Sequence, residues 1–118
     1  MDGDGKMNTA LESTSSSDRH TPDSVLTLAA YLEIALEKGK QVVMMRRDDD
    51  CFAVYVGDPS DEDGKLSSHG TISTAVAEEL LGLTQVGLNR LTVGDQTYRF
   101  FRSFTYISDG GAVVFAPT

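Results

Sequence analysis

A chain of 118 residues with 40% hydrophobic content has room for one core, and its 18 acidic against 10 basic residues give a formal charge of −8. A separate cofactor domain and substrate domain do not fit in this length. The charge repels duplex DNA and anionic membrane surfaces, both of which are bound largely through basic side chains, and favours a protein partner with a basic surface. Cys51 is the single cysteine, so no intramolecular disulfide forms. No apolar run approaches the ~20 residues of a membrane helix. The expected compartment is a reducing cytoplasm.

Residues 1–22 read as a disordered N-terminal tail: Ser13, Thr14, Ser15, Ser16 and Ser17 run together, and the few apolar residues cannot offset ordering entropy. Residues 23–118 read as a single domain. From Asp23 to Lys38, Val25, Leu28, Ala29, Leu32, Ala35 and Leu36 recur at helical spacing, with Thr21 or Asp23 as cap and Gly39 as the stop. A hairpin follows. Gln41 to Arg47 is rich in Val and Met, Asp48-Asp49-Asp50 turns, and Cys51 to Val56 alternates. Residues 57–70 read as one long acidic loop. A second helix starts near Ser73, a good N-cap, with Val76, Ala77, Leu80 and Leu83 on one face. The rest is a three-strand meander. Leu88 to Val93 meets the turn pair Gly94-Asp95, Gln96 to Ile107 follows, and Ala112 to Ala116 closes it. The fold class is therefore α+β, of order αββαβββ. A five-stranded antiparallel sheet, hairpin plus three-strand meander, carries two helices on one face. The expected core is Val25, Leu28, Leu32, Leu36, Val43, Phe52, Val54, Val76, Leu80, Leu91, Val93, Phe100, Phe104, Val113 and Phe115.

Four patterns bear on function. The acidic loop resembles a calcium loop only superficially. With Gly64 as the turn glycine, Pro59 and Gly70 fall where the first and last ligands belong. Cys51 and His69 are the residue types of a nucleophile and its base, which requires them within hydrogen-bond reach. A pocket with Cys51, His69, Tyr98 or Arg99 at its mouth would serve a ligand binder or small enzyme. The stretch 98–106 interleaves arginines with aromatics. Tyr98, Phe100, Arg102, Phe104 and Tyr106 share a face, a stacking platform for single-stranded RNA if exposed and core if covered by the helices. The glycines mark turns and helix ends, so no phosphate loop is present, and no metal or cofactor is implied.

With no catalytic constellation in the sequence, the expected function is a non-enzymatic protein-interaction module. Its contacts are Asp58, Asp61, Glu62 and Asp63 on the loop, and an exposed sheet edge; a homodimer through a sheet edge or sheet face is the other expected use of that surface.

Overall fold

The computed structural model describes residues 21–60, 65–107 and 110–118. Helix α1 (Asp23–Lys38) is followed by strands β1 (Gln41–Arg46), β2 (Cys51–Gly57) and β3 (Ser67–Ser73), then helix α2 (Thr74–Leu83) and strands β4 (Gly87–Val93), β5 (Gln96–Ile107) and β6 (Gly110–Pro117). The expected tail lies outside the described residues except for Thr21 and Pro22.

The expectation of five strands is wrong: the sheet has six, all antiparallel, in the order β3-β2-β1-β6-β5-β4. The additional strand is β3, inside the segment read as loop. Its sequence, Ser-Ser-His-Gly-Thr-Ile-Ser, shows no alternation, because β3 is an edge strand and buries only Ile72. A register shift opposite Ala53 and Tyr55, with Gly70 at φ +116°, further breaks the pattern. From β3, at one edge, α2 carries the chain across the sheet to β4 at the other. β6 then returns to the middle and pairs with β1, joining the β1-β2-β3 and β4-β5-β6 meanders into one sheet.

The helix boundaries follow from local chemistry. Gly39 adopts the left-handed conformation at φ +63°, and the cap amides donate to Ala35 and Leu36 carbonyls. α1 has Pro22 at its N-cap and no side-chain cap, so neither Thr21 nor Asp23 fills that role. Ser73 does cap α2, its Oγ accepting from the Val76 N–H at 3.1 Å.

Both helices cover the same face. Leu28, Leu32 and Ala35 of α1 and Ala77 and Leu80 of α2 pack on Val42, Met44, Val54, Val56, Phe100 and Phe115. Phe100 and Phe115 meet edge to face at 5.7 Å. The central strand β1 is buried on both sides: Val42, Val43 and Met44 are consecutive core residues. Val43 belongs to the helix-free face, where it clusters with Ala112 and Val114 beside Met45, Tyr55, Leu66 and Ile107. Two expected core residues are exposed, Leu36 and Phe104. Leu36 lies at the end of α1, and Phe104 stands where neither helix reaches.

Candidate functional site

The acidic loop is described only in part. Asp58 Oδ1 accepts from the Ser60 N–H at 3.0 Å and the Ser60 hydroxyl at 2.7 Å, a local turn that holds its carboxyl below the ordinary range, helped by the charge of Lys40. Asp61, Glu62 and Asp63 lie outside the described residues.

Cys51 and His69 do not meet. Cys51 opens β2 opposite Ser73, while His69 sits four residues back along β3, roughly 13 Å at the usual strand rise. Burial, then the charge and hydrogen bond of Asp48, push the Cys51 thiol up, which favours the protonated, unreactive form. Tyr98 and Arg99 border a different depression, of about 290 Å³, with Leu36 and Thr118. Among the described residues, no three His, Cys, Asp or Glu side chains gather as a metal site. A larger open cleft of about 460 Å³ lies on the helix-free face between Met45, Ala53, Tyr55, Ser68 and Thr71, with Arg47 at its rim. Asp48, next along the chain, interacts with the charge of that arginine.

The aromatic row of β5 is divided by the helices. Tyr98 and Phe100 are core, and the Tyr98 hydroxyl donates to Glu33 Oε1 at 2.9 Å. Arg102 reaches the end of α2, its Nη1 donating to the carbonyls of Leu81 and Thr84 at 3.0 and 2.8 Å. These are carbonyls that a helix end leaves without partners. Phe104 and Tyr106, 62% and 74% exposed, stack edge to face at 5.4 Å beyond the helices.

The opposite face of the same strand was missed by the sequence reading. There β4 and β5 pair Leu88 with Phe101, Arg90 with Arg99, and Thr92 with Thr97. The threonine hydroxyls are 3.1 Å apart. Leu88 and Phe101 are 66% and 44% exposed, and both arginines are exposed. The signal was present in the sequence. A two-residue turn at Gly94-Asp95 fixes the register of the hairpin, and that register sets Arg90 against Arg99.

The edge beside this face is partly closed. Asn89 Nδ2 donates to the carbonyls of Gln85 and Gly87, and Gln85 Nε2 to that of Leu88. Gln85 N–H donates in turn to Asn89 Oδ1. The first carbonyls of β4 are thus occupied by the chain's own amides, a device against uncontrolled strand addition.

No family model, no curated protein and no solved structure matches the chain. Among the described residues no helix is long and apolar enough to cross a membrane.

Proposed function

We propose that the chain is a non-enzymatic protein-interaction module of the cytoplasm, and that the β4–β5 hairpin is its principal contact surface. The observation that carries this reading is the concentration of exposed large apolar side chains there. Leu88 and Phe101 form a pair on its helix-free face, Phe104 and Tyr106 stand on its other face beyond the helices, and exposed Val86 immediately precedes β4. Isolated exposed apolar residues are ordinary, whereas a group of them on one wing of a sheet is the usual mark of a contact surface. The acidic loop, with Asp58, Asp61, Glu62 and Asp63, is a second contact, toward a basic part of the partner, and acts mainly on encounter rate.

The test is affinity capture from lysate of the native host with the parent chain and with Leu88→Asp and Phe101→Asp variants. The expected result is a stoichiometric protein retained by the parent and lost by both variants. An identical set of proteins on all three would overturn the assignment of the hairpin, and a blank from the parent would overturn the module itself. Reversal of the four loop charges should slow association and weaken its salt dependence; association unchanged by that reversal removes the loop from the contact.

A further inference from the structure

The six strands contain no aspartate or glutamate. In a chain of charge −8, the acidic side chains among the described residues therefore lie in helices, loops and turns, and the charged side chains of the strands are all arginines. Four arginines lie in strands: Arg46, Arg90, Arg99 and Arg102. Two have partners within the chain. Arg102 holds the end of α2, and the Arg46 guanidinium sits over the Phe52 ring at 5.7 Å. The other two, Arg90 and Arg99, face each other across adjacent strands. Like charges directly opposed in this way destabilise a sheet. The fold keeps this unfavourable pair on its helix-free face, where the neighbouring residues are Leu88, Phe101, Thr92, Thr97 and Ser103, with Ala116 opposite Phe101 and Thr118 donating its N–H to the Arg99 carbonyl at 3.0 Å. Asp95, in the turn, is the nearest acidic residue in sequence.

Resting on the interaction-module reading, we propose that this face docks an extended acidic peptide segment carrying an apolar side chain. The carboxylates of the segment lie on Arg90 and Arg99 and its apolar residue lies against Leu88 and Phe101. Charge complementarity selects the occupant: a carboxylate between the guanidiniums turns a repulsion into two attractions, and Arg offers the planar fork that carboxylates accept. The apolar neighbours extend the same row of the hairpin, at the spacing of alternate residues in a strand. Since Gln85 and Asn89 occupy the first carbonyls of β4, the segment is held by side chains on the face more than by added ladder bonds. A nucleic acid presents anions too, but its longer charge array meets the repulsion of the acidic remainder of the chain, which a short peptide largely escapes.

The proposal is tested by amide chemical-shift mapping of the full chain. The probe is a short synthetic peptide of alternating Asp and Leu, with a Lys–Leu peptide and an oligouridylate as comparisons. The expected result is shifts at 87–93 and 97–103 with the acidic peptide alone, diminishing as salt is raised. Arg90→Glu is the decisive variant. It should raise the melting midpoint, because Glu then faces Arg99, while weakening the acidic peptide roughly tenfold or more. Arg90→Lys should keep most of the binding. Shifts elsewhere, no shifts, or binding unchanged by Arg90→Glu would each overturn the proposal. So would the same face responding to oligouridylate instead, or to chain concentration without peptide, the latter pointing to a second copy. If the peptide fails while capture of a partner still depends on Leu88, only the acidic chemistry of the partner falls. If capture from lysate is blank, the module reading falls independently.

Discussion

Arg102 shows how one side chain joins two elements that no sequence pattern links. Its guanidinium closes the last turn of α2 from β5, satisfying carbonyls and opposing the negative end of the helix dipole. Arg102→Ala should destabilise the fold by about 1–3 kcal/mol, read by urea unfolding, with Lys restoring part. Tyr98 gives a pH test. Burial, and then the hydrogen bond to Glu33 and its charge, raise the phenol above its ordinary value. The proton is held more tightly in the folded chain, so this contribution is complete below the unfolded phenol pKa of about 10 and is lost as pH rises through the folded value. Tyr98→Phe should therefore flatten the alkaline decline of stability. Asp48 has the opposite sign. Its carboxylate accepts from the Asp50 and Cys51 amides and is held low, chiefly by Asp50. Its contribution is present above the unfolded carboxylate pKa and is lost as pH falls through the folded one. Asp48→Ala should flatten the acid limb of the same curve.

At the scale of elements, two glycines separate tolerance from constraint. A Cβ on Gly111 would meet the Phe104 ring at 2.6 Å. That ring is the exposed end of a side chain and can swing aside, so Gly111→Ala should cost less than about 1 kcal/mol. A Cβ on Gly57 would meet Leu66 Cδ2 at 2.7 Å and the Lys65 carbonyl at 3.0 Å. Backbone has to move there, where the segment entering β3 crosses the end of β2. Gly57→Ala should cost about 1–3 kcal/mol, measured by thermal unfolding, and should loosen amide protection across β3. β3 itself was invisible to periodicity for a physical reason. An edge strand that buries one side chain needs no alternation, and Ser, His and Thr are held by the ladder to β2. The helices and the β4–β5 hairpin were legible because each depends on local chemistry: apolar spacing, Ser73 and Gly39 as caps, Gly94-Asp95 as turn.

For the molecule as a whole, acidic side chains among the described residues stay off the strands, whose charged side chains are all arginines, while Lys38, Lys40, Arg47 and Lys65 lie outside the strands. The sequence by itself determined the α+β class, both helices, the β1–β2 and β4–β5 hairpins and the register that opposes Arg90 to Arg99, since all of these are set within a few residues by hydrogen bonding, turn geometry and apolar period. Only the tertiary structure decided that β6 pairs with β1, that β3 completes a six-stranded sheet, and which half of the β5 aromatic row is covered. Those outcomes depend on where α1 and α2 cross the sheet. Tyr98 and Phe100 fall beneath them, whereas Phe104 and Tyr106 extend beyond, although all four alternate identically along the chain. Alternation assigns a residue to a face; burial depends on what packs on that face, and the contacts that place it come from residues far apart in sequence.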